Sequence, residues 1–283
     1  MLLIGCDFSS RPGPRKPIVM ALGREQGDVV TLDALQPLPT LDAFADGLRR
    51  YRPWVGGFDF PFGLPRELVQ TLGWPTAWLD CIRTYQRLSR AEIRTLFAAF
   101  CQAREPGRKF AHWATDRWSG SSPSMKWVNP PVAYMLHAGV PLLVDAGVAI
   151  PGLHAGDPTD VDVQGRPQRV ALEAYPGMLA REVIGRESYK SDDPSRQTAA
   201  RCARRRHLVD ALERGQTRLG LGLALTPAQR ELLIADGSAD RLDAVLCMVQ
   251  AAWGRRQGWP TFGLPLPIDP LEGWIVSALP SSA

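Results

Sequence analysis

The chain contains no close pair of cysteines. Its five, Cys6, Cys81, Cys101, Cys202 and Cys247, are odd in number and scattered, and no C-x-x-C occurs. This argues against a zinc site and against a disulfide framework, and reduced, mostly buried thiols are the expectation. No run of about 18 apolar residues is present, so no membrane-spanning helix is expected. The opening M-L-L-I-G-C-D-F-S-S lacks a basic segment and reaches an acid at Asp7. It reads as a strand rather than a secretory leader, with the cytoplasm as the expected location. Lysine is scarce beside arginine, and the net charge is only +4, a balance that permits a nucleic-acid partner without demanding one. Guanidinium groups suit bidentate phosphate contacts, and a GC-rich genome gives the same bias. Internal repeats and low-complexity tracts are absent as well.

What remains is the composition of an ordinary globular domain, 45% hydrophobic, with ample material for a core. Apolar runs at 2–8, 17–23 and 28–35, the last two separated by the turn R-E-Q-G, predict an antiparallel meander. Leu41, Phe44, Ala45 and Leu48 have helical spacing over 41–51, with Thr40 as N-cap and Pro53 as the stop. A buried strand is expected at 54–60, W-V-G-G-F-D-F. A helix leading into a strand implies a parallel crossover, so the sheet is mixed.

From about 61 to 168 the pattern changes to helices at 65–72, 75–87 and 89–104, punctuated by prolines. A Trp-, Arg- and Ser-rich stretch follows, then a helix at 132–138, a strand within 140–150 and an exposed loop or hairpin at 151–168. This region is read as a largely helical insertion after the fourth strand of a single domain covering 1–283. Beyond it come a strand at 169–175, a helix over 176–185 opened by Pro176, and a basic helix at 196–214. Thr226 and Gln229 form a capping box for the next helix, which should end at Gly237. The last helix, 239–254, is expected to be capped by Ser238 and to carry the stripe Leu242, Val245, Leu246, Val249 and Trp253.

The acids stand out against this frame. Asp7 closes the first strand, Asp59 closes the strand after the first helix, and Glu173 sits near the end of V-A-L-E-A-Y. Asp240 and Asp243, three apart, share one side of the last helix. An unpaired carboxylate inside an apolar run costs on the order of several kcal/mol. An arginine partner or a metal ion relieves that cost, and convergence of several carboxylates favours the metal. Oxygen-only ligation suits Mg²⁺ or Mn²⁺. Taken singly, each acid also fits a solvated strand terminus.

Several motifs resemble one family. G-C-D-F-S-S at 5–10, G-F-D-F-P-F-G-L-P at 57–65, E-A-Y-P at 173–176, D-R-L-D-A-V-L-C at 240–247 and I-D-P-L-E-G-W-I-V at 268–276 are similar to the domain of unknown function 429. That family is regarded as a predicted ribonuclease H-like nuclease group. The resemblance implies a ribonuclease H-like α/β fold, with a mixed five-stranded sheet flanked by helices. It makes Asp7, Asp59, Asp243 and Glu173 the catalytic acids, with Asp7, Asp59, Asp240 and Asp243 as metal ligands. Two Mg²⁺ ions roughly 4 Å apart would then serve phosphodiester hydrolysis, Asp7 bridging them. Glu173 is left open between metal ligand and partner for an insertion arginine.

The substrate is expected to be nucleic acid, DNA or RNA. In the insertion, Arg108, Lys109, Arg117 and Lys126 alternate with Trp113, Trp118 and Trp127, a mixture that suits phosphate clamping and base stacking. Arg117 and Lys126 are the candidate substrate contacts, although the same tryptophans equally suit packing on the sheet. Residues 196–218 hold seven arginines against Asp210 and Glu213, suited to a polyanion or to an ordinary solvated face. His112 and His137 belong to no motif and are read as structural. Two other classes fit the same pattern. One is a nucleotide or phosphometabolite binder on the related actin-like fold, although the loop F-S-S-R-P-G after Asp7 has no second copy. The other is a non-catalytic scaffold.

Overall fold

A computed structural model of the chain describes residues 1–105, 107–265 and 267–278, and of Ala114 and Arg117 it describes the backbone alone. Among these residues six strands form one mixed sheet: β1 (Leu2–Asp7), β2 (Ile18–Gln26), β3 (Val29–Leu38), β4 (Trp54–Phe58), β5 (Arg169–Glu173) and β6 (Gly222–Ala224). Their order is β5-β4-β1-β2-β3-β6. The meander β1-β2-β3 is antiparallel, β4 and β5 add in parallel beside β1, and β6 lies parallel to β3.

The expected α/β class and mixed sheet are present, with six strands rather than five. The sixth is three residues long and exists through its pairing with Val29, Val30 and Thr31. A segment that short carries no readable period of its own. The β2–β3 hairpin also turns at Gly27 rather than across R-E-Q-G. Strand β2 runs on through Gln26 because its ladder with β3 continues past the last buried residue.

The crossover from β3 to β4 is helix α1 (Leu41–Arg50), capped by Thr40, whose Oγ1 accepts from the Ala43 amide at 3.0 Å. Among the described residues the insertion holds five helices: α2 (Arg66–Thr71), α3 (Trp78–Gln86), α4 (Arg90–Gln102), α5 (Ala114–Ser119) and α6 (Val132–Asp145). After β5 come α7 (Pro176–Ile184), α8 (Ala199–Glu213), α9 (Pro227–Ala235) and α10 (Asp240–Gln257).

Two expectations in these helices are corrected. Helix α6 runs straight through 139–145, where a strand was expected. Gly139 lies against the Phe60 ring, which a Cβ would meet at 2.8 Å, and Ala133, Leu136, Val140 and Leu143 bury one helical face. Packing holds the helix despite Pro141, which removes one backbone donor. Helix α10 is not capped by Ser238. It starts from Ala239 in the left-handed region, at φ 59°, while the Ser238 hydroxyl turns to Asp236 at 3.0 Å. The capping box of α9, with Thr226 and Gln229, forms as expected.

The sheet separates two hydrophobic layers. On one face Ile4, Cys6, Trp54 and Phe58 pack with α1 and the insertion helices, so that insertion and sheet share one core. On the other, Leu3, Val19 and Ala21 pack with α7 to α10. Helix α10 presses directly on the backbone of the central strands. A Cβ on Gly5 would fall 2.7 Å from Met248 Cβ and inside the Ala244 carbonyl, and one on Gly57 would meet the Cys247 carbonyl. The bare glycine backbone therefore sets the helix-to-sheet distance. The residues Leu271 and Glu272 seat in the same way on Gly63. Arg66 grips Asp269 with two hydrogen bonds of 2.6 and 2.7 Å.

Candidate functional site

Strand periodicity places the acids. Leu3, Gly5 and Asp7 alternate onto the α10 face of β1, as Val55, Gly57 and Asp59 do for β4. The parallel register pairs Cys6 with Phe58, and the Asp59 amide donates to the Cys6 carbonyl at 2.9 Å. One step further, Asp7 and Asp59 stand side by side at the carboxyl ends of neighbouring parallel strands, where open α/β sheets bind ligands. Asp243 lies one turn before Cys247, the residue seated on Gly57, so α10 delivers it to the same point. It is fully buried.

Burial, and then the Asp240 and Asp243 charges, push the Asp7 carboxyl well above its ordinary value, with Lys190 opposing. Burial likewise raises Asp59 to about 7, Lys190 opposing and Asp243 reinforcing. Among the described residues neither carboxylate accepts a side-chain or backbone hydrogen bond. Asp243 differs. Tyr189 donates its phenol to Oδ1 at 2.6 Å, and the Lys190 ammonium pairs with Oδ2. Asp240 pairs with Lys16 at 3.2 Å. Burial pulls the Lys190 ammonium toward deprotonation, but Asp243, Tyr189, Asp7 and Asp59 more than reverse this and hold it charged.

The donor set of three or four carboxylates fits Mg²⁺ or Mn²⁺ chemically: Asp7 and Asp59 are only part-buried and have no protein donor among the described residues, which leaves their oxygens open to an ion. The arrangement itself is built around Lys190. Among the described residues no three acidic, histidine or cysteine side chains close round a metal position.

Glu173 sits apart from this cluster. Its parity on β5 matches Ala171, which faces the insertion, whereas Val170 and Leu172 face α10. The Phe62 amide donates to its Oε2 at 3.0 Å, and burial raises its pKa well above the ordinary value. Glu173 thus lines a cavity on the insertion side and has no insertion arginine as partner among the described residues.

That cavity, about 270 Å³, is walled by Trp113, Pro130, Val132, Met135 and Tyr175, with Asp59 and Lys190 among its lining. A second cleft of about 420 Å³ shares Asp59, Tyr175 and Lys190 and adds Arg181 and Arg186. Asp59 therefore stands where an apolar pocket and a basic cleft meet.

Of the expected substrate contacts, Lys126 lines neither space and is half-buried. Arg117 falls on α5, and its side chain lies outside what is described. The basic helix turns one of its arginines inward and leaves the others partly or fully exposed. Arg205 is buried and donates to the Ile234 and Tyr189 carbonyls at 2.7 and 2.8 Å, and Arg204 pairs with Glu187 at 2.7 Å. His112 and His137 lie beside Asp116, at 3.4 Å, and the Leu88 carbonyl, at 2.9 Å.

Sequence reasoning passed over Tyr189 and Lys190. Their one signal was the lysine in S-Y-K-S, one of only four lysines in an arginine-rich chain. Arg205 fixes the Tyr189 backbone, and Tyr189 fixes Asp243. Tyr189→Phe should therefore lower stability by about 1–3 kcal/mol, the cost of a lost donor to a buried charge. Urea denaturation at unchanged slope reads this, and a change under about 0.5 kcal/mol would show the bond to be dispensable. Comparisons with family models, with curated proteins and with solved structures return no match.

Proposed function

We propose that the chain is a divalent-metal-dependent phosphodiester hydrolase acting on nucleic acid, of the ribonuclease H-like kind that its motifs resemble. The observation that supports this most is the pairing of Asp7 with Asp59. Two neighbouring carboxylates stand at strand ends without protein donors among the described residues, and Asp243 lies one helical turn before the point where α10 rests on Gly57. Asp7, Asp59 and Asp243 would hold the cation, with Asp240 beside them. When bound, it supplies Lewis acidity and an activated water.

The chain's own groups do the rest. Lys190 and Arg181 place positive charge where phosphate oxygens would enter the basic cleft. Tyr189 and Arg205 keep Asp243 in place. Lys190 pairs with Asp243 and also lines the basic cleft, so one ammonium borders both the carboxylates and the space a phosphate would enter.

Incubation of the purified chain with single-stranded and duplex DNA, RNA and hybrid substrates tests the proposal, in Mg²⁺, Mn²⁺ or EDTA. Cleavage that requires the metal is expected, and its absence on every substrate sinks the proposal. Binding of Mn²⁺ measured by electron paramagnetic resonance should weaken in Asp7→Asn.

One observation favours a second reading, a phosphometabolite binder without hydrolysis: Lys190 already satisfies Asp243. Tight ATP binding by calorimetry with no cleavage would select it.

A further inference from the structure

Lys190 brings one of the chain's four lysines into the acidic cluster. Its ammonium pairs with Oδ2 of the fully buried Asp243, while Tyr189 donates to Oδ1. Burial works against that positive charge, and Asp243, Tyr189, Asp7 and Asp59 outweigh it. The backbone that carries the lysine is fixed on both sides. Arg205 donates to the Tyr189 carbonyl at 2.8 Å, the Ser188 hydroxyl to the Lys190 carbonyl at 3.0 Å, and the Ser191 amide to the Gly237 carbonyl at 3.1 Å. An ammonium is a compact point charge, closer to a small cation than the planar fork of a guanidinium is.

Charge then limits what else the cluster accepts. Asp240 is matched separately by Lys16, which also reaches the exposed Asp192. The remaining carboxylates, Asp7, Asp59 and Asp243, face one ammonium, which leaves two negative charges. One divalent ion balances them. A second would create a positive excess of which a phosphodiester, with its single negative charge, removes only half. Uncompensated charge held away from water is costly. The hydrogen bonds point the same way. Asp7 and Asp59 stand side by side without protein donors among the described residues, whereas both oxygens of Asp243 are engaged. A carboxylate has roughly four lone-pair positions, so Asp243 can still turn a free one to the ion held by its neighbours.

We infer that the site takes a single divalent cation, at Asp7 and Asp59, and that the Lys190 ammonium fills the place beside Asp243 that a second ion would need. The motif resemblance implies two ions, and the lysine stands in for one of them. The inference rests on the hydrolase reading for the first ion and on the Lys190–Asp243 pair for the exclusion of a second.

Titration of the full chain with Mn²⁺, in the absence of nucleic acid, tests it, with bound ions counted by electron paramagnetic resonance. The parent should take one ion per chain and give the spectrum of an isolated ion. Lys190→Met keeps the reach of the side chain and removes its charge. That variant should take two ions, and their spin coupling should show them to be neighbours. Lys190→Arg keeps the charge and should still take one. Two coupled ions in the parent or in Lys190→Arg, or only one in Lys190→Met, overturn the inference and leave the hydrolase reading standing. Failure of every chain to bind Mn²⁺ removes both. If the methionine variant does not fold, the count on the parent decides alone.

Discussion

Asp59→Asn should lower metal-dependent cleavage by on the order of a thousand-fold or more while leaving the fold intact. Asparagine keeps the shape of the side chain and removes the charge that would hold the cation. The loss can be told from unfolding because the same change alters stability in a predictable direction. Asp59 is held near 7 in the native chain against an ordinary 3.8. Below about pH 4 the carboxyl is protonated in both states and contributes no difference. Between about pH 4 and 7 the unfolded chain ionises while the native chain keeps its proton, so native stability falls as pH rises through that window. The variant lacks this loss.

In metal-free buffer, Asp59→Asn should therefore match the parent near pH 4 and exceed it in melting temperature near pH 7.5. Added Mg²⁺ should raise the parent's melting temperature at the higher pH and leave the variant's nearly unchanged. A variant that is less stable at both pH values, or that retains cleavage, would show that Asp59 is not a charged member of the site.

Gly57→Val carries the second large effect, about 3 kcal/mol of lost stability. A residue added to a strand interior in place of glycine ordinarily helps, since glycine loses the most freedom on folding. Here the sign reverses. A side chain at 57 points into the Cys247 carbonyl and lies 3.2 Å from Ala174 Cβ, and neither a helix carbonyl nor a strand can give way cheaply. Because α10 also carries Asp243, lifting it should weaken Mn²⁺ binding as well. Gly13→Ala is the control. A Cβ there meets nothing within 4 Å, and a change within about 0.5 kcal/mol is expected. Urea denaturation followed by circular dichroism separates the two, and a Gly57→Val loss below about 1 kcal/mol would mean that α10 does not rest on the strand backbone.

The two predictions also mark how far the sequence could be read. Features fixed by neighbours along the chain are legible in the sequence. The Thr40 cap, the Thr226–Gln229 box, the Pro176 helix start, the apolar stripe of α10 and the strand-end positions of Asp7 and Asp59 all rest on contacts within about one helical turn or one strand. Strand β6, helix α6 across Pro141 and the left-handed start of α10 at Ala239 were not legible. Pairing or packing with distant segments overrides local preference in each.

The site divides in the same way. The sequence determined which carboxylates end strands and which lie on the last helix. It could not place Glu173 on the opposite face from Asp7, because a face has meaning only once the sheet has two covered sides. Nor could it find Lys190, whose ammonium meets Asp243 across 53 residues, or the inward commitment of Arg205. The tertiary structure decided those, since a buried charge selects its partner by distance in space, and that distance is set by α10 resting on Gly5 and Gly57.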